Sequence, residues 1–540
     1  MIKEIHIKGY RLFEHFCLYP DTGMNLLVGG NSAGKSTLLE AVMLALTGRI
    51  NGYRAVDMLN PYWFNQNNVD RFFTNLAHKR AVNPFPEFQI DVYLDLPDGD
   101  LQRMRGVNNM RHQDATGLSV HAYPDPEYVQ EIEDYVKQDN CPHIVPVEYY
   151  RLDWTDFADN IVIRKPKDLD VSMIDTRTIR SDRAMDYYTR QVLEERLEAK
   201  DRNNIAAEHR KMRAQLSEQV LKDINESLHE DTKSLGIPAV GVQVDQSRST
   251  SWENTITPQI DEIPFALAGQ GEQAFAKTIL TLKSNAEATQ AVFIEEPENH
   301  LSHTMLRKLL AHVDQSRERR QLFITTHSSY VLNRLGLDQL ILMTKSEGQR
   351  FAKLTPSTID FFKRASGFNT LRIVLAENVV LVEGPSDEIV FNRFFKDMRG
   401  KEPLECGIDI ITLNGVSFER GLELAHLLGR KMAILRDNDG KKPDHWIKKF
   451  SPYLEEGVRQ SFIGNPEEGY TLEPQIIKAN DEKRIADILN IDETKDPESW
   501  MKANKTEAAM RIASSSETLE PPSYIADAIH FLANGIDTGV

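Results

Sequence analysis

One nine-residue stretch limits this chain more than any other: Gly29-Gly30-Asn31-Ser32-Ala33-Gly34-Lys35-Ser36-Thr37. It satisfies the G-x-x-x-x-G-K-[ST] pattern, with an apolar run, Met24 to Val28, before it and a helical pattern, Lys35 to Leu46, behind it. Glycines at such a turn let successive backbone N–H groups converge on phosphate oxygens where a side chain would block approach. The helix that follows presents its positive end to the same anion. The spacing assigns Gly29, Asn31, Gly34, Lys35, Ser36 and Thr37 to a nucleotide, with the Lys35 ammonium at the β/γ-phosphates and the Ser36 hydroxyl on a magnesium ion. An incidental glycine turn is the alternative, and the strand and helix that frame the loop argue against it.

A nucleotide seat that hydrolyses its ligand also needs acids. Ala291-Val292-Phe293-Ile294 is an apolar strand ending in Glu295-Glu296. Adjacent side chains on a strand diverge, so the two carboxylates can do different work: Glu295 completes the metal shell and Glu296 orients and deprotonates the attacking water. Two further pieces fit around them. Gly269 and Gly271 open a helix, Ala274 to Leu282, as close backbone approach to a γ-phosphate would require. Leu322-Phe323-Ile324-Thr325-Thr326-His327 is a second strand, ending in a histidine that can reach the same phosphate. A solvated acidic loop, a plain turn and a buried strand-end histidine are the ordinary readings of these pieces.

A second acidic constellation lies downstream. Val379-Val380-Leu381-Val382 runs into Glu383-Gly384-Pro385-Ser386-Asp387-Glu388, and Met432-Ala433-Ile434-Leu435-Arg436 into Asp437-Asn438-Asp439-Gly440. Glu473 follows in Gly469-Tyr470-Thr471-Leu472-Glu473. Two acids two apart on extended chain point the same way and can share a divalent cation. Acids gathered without lysines repel one another unless a metal binds, and hard oxygen ligands suit Mg²⁺ or Mn²⁺ and not zinc. Two such ions about 4 Å apart activate water and stabilise the leaving oxygen in phosphodiester cleavage. Metal candidates are therefore Ser36, Glu295, Glu383, Asp387, Glu388, Asp437, Asp439 and Glu473.

The remainder bounds the architecture. At 540 residues the chain exceeds one hydrophobic core. Its 81 acidic and 64 basic side chains leave a charge of −17, which excludes binding nucleic acid through overall charge but not through a local patch. Lys441, Lys442, Lys448 and Lys449 are candidates for that patch, a solvated helix face being the alternative. Three separated cysteines provide neither a disulfide framework nor a zinc spacing. The N-terminus alternates instead of forming a secretory core, and no run approaches the roughly 18 apolar residues of a membrane span, so the expectation is a cytoplasmic protein. Phe88, Ile90, Val92 and Leu94 alternate as in a half-buried strand; Ile144 to Tyr150 and Val240 to Val244 also read as strands. From Ser181 to about His229 there is no proline or glycine, and Met212, Leu216, Val220, Ile224 and Leu228 step by four, as in long amphipathic helices. Strand–helix alternation resumes after about residue 370, and the chain is helical and polar from about 480.

The motif order, from phosphate loop through glycine signature and acidic strand to histidine, resembles the ABC-type ATPase head of SMC, Rad50 and RecF proteins. The resemblance places Gly269 and Gly271 against the nucleotide of a second head and makes His327 the switch histidine. Ala268-Gly269-Gln270-Gly271-Glu272-Gln273 departs from the family's LSGGQ, and Glu295 stands where an aspartate is usual. The E-G-x-S-D and D-x-D pair resembles a Toprim domain, and a head joined to a Toprim domain resembles the OLD (overcoming lysogenization defect) nucleases. That likeness makes Glu473 the late acidic ligand, and it puts Lys505, in Asn504-Lys505-Thr506-Glu507, beside the scissile phosphate. It implies an α/β chain: a RecF/SMC/Rad50-like head over 1–175 and 236–370, a helical dimerisation insertion over 176–235, and a Toprim nuclease domain with helical C-terminus over 371–540. The catalytic candidates are Glu296, His327, Glu383 and Lys505. Implied with them are ATP, Mg²⁺ or Mn²⁺, a DNA substrate, a homodimer or higher homo-oligomer, and a role in bacterial anti-phage defence. Some relatives act alone; others work with a helicase or with a retron reverse transcriptase and its DNA–RNA product. The competing expectation is an ATP-dependent DNA-binding clamp or repair protein whose Toprim module does not cut.

Overall fold

The computed structural model describes residues 1–30, 32–50, 52–77, 85–95, 100–137, 141–166, 169–175, 197–234, 238–245, 252, 258–283, 289–316, 320–350, 354–364, 370–413, 418–492 and 495–533. The chain divides into two compact units, one holding most of residues 1–326 and the other most of 327–540.

Among the described residues the first unit carries two large sheets and two two-stranded ones. Strands β1 (Ile2–Tyr10) and β2 (Phe13–Leu18) pair antiparallel. Along the chain follow β3 (Met24–Val28), helix α1 (Lys35–Thr47), and strands β4 (Phe88–Leu94), β5 (Ala115–Pro124) and β6 (Tyr150–Asp156). The antiparallel sheet runs β2-β1-β4-β5, with β6 on β5. The other large sheet is parallel. Strands β7 (Asp170–Asp175), β8 (Thr289–Glu295) and β9 (Gln321–Thr325) lie side by side, with β3 beyond β9. Every residue of β3 and β9 is buried, the continuous apolar run that a parallel strand covered on both faces demands. Helices α2 (Ala199–Gln215), α3 (Lys222–Ser234) and α4 (Gln270–Lys283) belong to the same unit.

Three expectations need correction here. The strand over Phe88–Leu94 is buried on both faces, not one. Its polar face is roofed by the chain near residue 110: Asp91 accepts from the Met110 amide at 2.6 Å and from the Ser119 hydroxyl at 2.7 Å, and Tyr93 donates to Asn109 at 3.0 Å. Ile144–Tyr150 is not a strand; a turn over Val147–Tyr149 leads into β6, which begins at Tyr150. Val240–Val244 joins no sheet, because side chains of the helical segment take its backbone groups. Asn225 accepts from the Val242 amide at 2.7 Å and donates to its carbonyl at 2.9 Å, and the Ser217 hydroxyl accepts from the Val244 amide at 3.0 Å. Of the helical segment itself, residues 181–196 lie outside the described ones.

The second unit contains a four-stranded parallel sheet. In chain order come β10 (Asn378–Val382), α5 (Pro385–Arg399), β11 (Ile408–Thr412), β12 (Lys431–Arg436), α6 (Pro443–Phe450) and β13 (Arg459–Ile463). The strands lie in the order β11-β10-β12-β13. Helices α7 (Leu472–Asn480), α8 (Lys505–Ser514) and α9 (Ser523–Ala533) complete the unit. One apolar core joins Val382, Leu435, Leu472, Ala508 and Tyr524. Four of these five residues stand within three positions of a candidate acid or of Lys505. The packing of this core therefore fixes where those charges emerge, at the carboxyl ends of parallel strands, where open α/β sheets present their sites.

Candidate functional site

In the first unit the charged seat is built around Lys35. Gly34 caps α1 at φ 88°, and a Cβ there would stand 2.6 Å from the Phe13 ring, so both backbone conformation and space require glycine. The next residue, Lys35, is 5% exposed. Burial pushes its ammonium pKa down, while the neighbouring carboxylates of Glu296, Glu295 and Glu298 push it back up. The expected acids thus gather on the expected lysine, and Glu298 joins them. Glu295 ends β8 fully buried, in register with Thr325 of β9. Glu296 takes a left-handed φ of 46°, its amide donating to the Thr325 carbonyl at 3.0 Å and its carboxylate accepting from Asn299 at 2.9 Å. That reversal divides the two acids more sharply than strand alternation does. Glu298 accepts from the Thr326 hydroxyl at 2.8 Å.

Ser36 and Thr37 lie in the first turn of α1, half-buried. Gly30 has open space where a Cβ would stand, and Asn31 is outside the described residues. Gly269 precedes α4, with the Glu272 carboxylate 3.6 Å from the position of a Cβ. Gly271 is different: a Cβ there would meet the His300 carbonyl oxygen at 2.4 Å, so its bare backbone admits the loop that follows the acidic strand. His327 comes two residues after β9.

In the second unit four carboxylates from separate elements converge. Asp387 sits in the first turn of α5 and caps it, accepting from the Gly384 amide at 3.0 Å. Burial, with Glu473 adding repulsion, raises its pKa to about 6. Asp437 follows β12 directly; burial and the charges of Asp387, Glu383 and Glu473 lift it to about 8. Glu383, at the end of β10, is raised chiefly by burial, against an opposing pull from Arg436. Glu473 is 4% exposed, accepts from the Thr471 hydroxyl at 2.6 Å and stands 3.5 Å from the Lys505 ammonium. Lys505 opens α8 and also acts electrostatically on Glu383 and Asp387. Beneath them the Tyr524 hydroxyl, on α9, is held well above its usual pKa by burial and by Asp437, Asp387, Glu383 and Glu473.

Two members of the expected ligand set are placed otherwise. Glu388 accepts from the Thr412 hydroxyl of β11 at 2.6 Å, turned away from Asp387 because successive helical side chains project about 100° apart. Asp439 does not share an extended chain with Asp437. The Lys441 amide donates to the Asn438 carbonyl at 2.9 Å, Asp439 adopts φ 52°, and its half-exposed carboxylate pairs with Arg436 Nη2 at 2.8 Å. The buried Asn438 fixes this turn, donating to the Gly469 carbonyl at 2.7 Å and accepting from the Gly440 amide at 2.8 Å.

Among the described residues no three Asp, Glu, His or Cys side chains stand as a finished cation cage. The donor chemistry nevertheless fits a hard dication. Asp437 Oδ1 and Glu383 Oε1 are buried and accept no hydrogen bond, and the surrounding oxygens are carboxylates. Glu383, Asp387, Asp437 and Glu473 would hold Mg²⁺ or Mn²⁺, which would polarise a phosphodiester and lower the pKa of water. Sequence reasoning missed Glu298, Arg436, Thr471 and Tyr524. Arg436, the residue immediately before the D-x-D pair, was the one with a local signal.

Comparison with known proteins gives the families of the two regions. The AAA ATPase domain family matches residues 1–332, and the overcoming lysogenization defect protein-like Toprim domain matches residues 374–439. Over 48 residues, 9% of this chain, it is 44% identical to the DNA double-strand break repair Rad50 ATPase of Archaeoglobus fulgidus. Over 59 residues, 11% of the chain, it is 37% identical to the DNA replication and repair protein RecF of Nitrosococcus oceani. Those stretches cover only 5% and 16% of the two relatives' own length. The solved C-terminal region of the Burkholderia pseudomallei OLD protein aligns with 30% of this chain and 99% of its own, at 14% identity and a TM-score of 0.25. The chain belongs to the AAA ATPase domain family and carries an OLD-like Toprim domain behind the ATPase, an ATPase–Toprim fusion of the OLD kind.

Proposed function

We propose that this chain is an ATP-regulated, divalent-metal-dependent DNA endonuclease or nickase acting in bacterial anti-phage defence. The observation that carries the reading is the convergence of Glu383, Asp387, Asp437 and Glu473 from four elements, close enough that Asp437 is pushed up to about 8 and Asp387 to about 6. Such mutual repulsion is relieved by a dication, and Lys505 beside Glu473 supplies a cation for developing negative charge on a phosphate. At the head, Lys35, Ser36 and Thr37 bind ATP–Mg²⁺ with Gly29, Asn31 and Gly34. Glu295 holds the metal, Glu296 orients water, and His327, Gly269 and Gly271 attend the γ-phosphate. The working form is a homodimer: Met212, Leu216, Val220 and Ile224 are all at least 40% exposed and face outward at helical spacing, a stripe that a second copy would cover. Two kinds of partner suit an effector of this design, a helicase or a retron reverse transcriptase with its DNA–RNA product. The neighbouring open reading frames decide between them.

The ion pairs of Arg436 with Glu383 and Asp439 favour a second reading, an ATP-dependent DNA clamp whose Toprim acids are already neutralised. Supercoiled plasmid incubated with the full chain and Mg²⁺ or Mn²⁺ separates the two. Nicking that disappears in Glu383→Ala supports the nuclease. Binding of the plasmid by the wild-type chain without any cleavage sinks it and leaves the clamp.

A further inference from the structure

Arg436 is the last residue of β12 and reaches across the acid pocket from the strand that delivers Asp437. Its Nη1 lies 3.4 Å from Glu383 Oε1, and its Nη2 lies 2.8 Å from Asp439 Oδ2. The guanidinium carbon is 3.7 Å from the centre of the Trp446 ring and 5.4 Å from that of Phe418. The indole is itself fixed: it is 7% exposed, and its Nε1–H donates to the Asn438 carbonyl at 3.1 Å. Arg436 Nε is buried and has no hydrogen-bond partner. A planar guanidinium stacked on an aromatic face keeps its orientation while its N–H groups exchange partners, which a lysine on the same strand could not do.

Glu383 Oε1 accepts no hydrogen bond, and its ion-pair partner is Arg436. That oxygen is also one a dication would use. We propose that Arg436 is the resident counter-ion of the pocket. It neutralises Glu383 and Asp439 and competes with a divalent cation for the Glu383 oxygen. Once displaced from Glu383 it stays on the Trp446 indole and offers Nη1 to a phosphate oxygen of the substrate. The inference rests on the metal-pocket reading above and adds an order of events to it, cation before phosphate. An arginine that merely tied β10 to the following loop would have the opposite signature, because its removal would loosen the pocket and weaken cation binding.

Calorimetric titration of the full chain with Mn²⁺, in the absence of DNA, distinguishes these roles. Arg436→Gln should bind Mn²⁺ roughly fivefold tighter or more, since one positive charge leaves the pocket. Arg436→Lys, which keeps the charge but cannot span both acids, should tighten it less, and it carries the test if the glutamine variant fails to fold. Duplex binding in Ca²⁺, followed as log affinity against log salt, should lose about one unit of slope in Arg436→Gln. Mn²⁺ binding that is unchanged or weaker in folded variants overturns the counter-ion role alone. A wild-type chain that takes up no Mn²⁺ overturns the metal pocket itself and the inference with it.

Discussion

A carboxyl group that keeps its proton to about pH 8 has been given three acidic neighbours and little water, and Asp437 is such a group. In an unfolded chain the same aspartate ionises near its usual value of about 4. Between those limits the folded state binds a proton that the unfolded state has released. Without added cation, this residue's contribution to stability is therefore full below about pH 4 and is lost as pH rises toward 8. Thermal unfolding of the wild-type chain in chelator should show a melting temperature that falls across this window more steeply than that of Asp437→Asn. Mn²⁺ should restore the loss at pH 8 in the wild type only. Equal slopes in the two proteins would mean that Asp437 is not desolvated. At this scale the sequence disclosed Glu383, Asp387 and Asp437, because each stands at the end of an apolar strand or in the turn behind it, whereas Glu473 lies in the first turn of α7. The sequence hid Glu298, an ordinary charged residue until folding sets it against Lys35, and showed of Arg436 only its place before Asp437, not its pairing with Glu383.

At the scale of elements, the phosphate loop, the acidic strands and the helix behind each were legible because local patterning and tertiary need agree there. Ile144–Tyr150 was lost to a local turn; the other two disagreements share one cause, a backbone or side-chain group satisfied by a partner well away in sequence. The roof over Asp91 buries a strand face that alternation assigned to water, and Asn225 takes the backbone groups that would have made Val240–Val244 a strand. Gly269 and Gly271 look equivalent as letters yet differ in space. Gly271→Ala should cost about 1–3 kcal/mol, because its Cβ would overlap the His300 carbonyl, as a shift in urea midpoint would report. Gly269→Ala, with a flexible carboxylate as its nearest neighbour, should move that midpoint far less. Equal losses would mean that the helix does not sit against the loop after Glu296.

For the whole molecule, two compact units predict separable chemistry. Lys35→Ala should abolish ATP binding yet leave Mn²⁺ uptake by the acid pocket within about twofold of wild type, since the substituted side chain belongs to the other unit. Simultaneous loss of both activities would show that the units do not fold independently of the nucleotide seat. With a charge of −17, the proposed DNA binding would rely on local cations such as Lys441 and Lys449, which flank the Trp446 ring at 4.9 and 5.8 Å. Domain order was readable from the sequence because each unit contains its own strand–turn–helix motif, at Met24–Thr47 in one and Asn378–Arg399 in the other.

The acid pocket also carries a schedule. Its charges come from residues 383 to 505, and its core closes only with Tyr524 and the helix behind it. The nucleotide loop is made among the first 40 residues, but the acids gathered on Lys35 come more than 250 residues later. Neither charge cluster can therefore form on a growing polypeptide before the residues that complete it are made: Glu298 for the nucleotide seat, Tyr524 for the acid pocket.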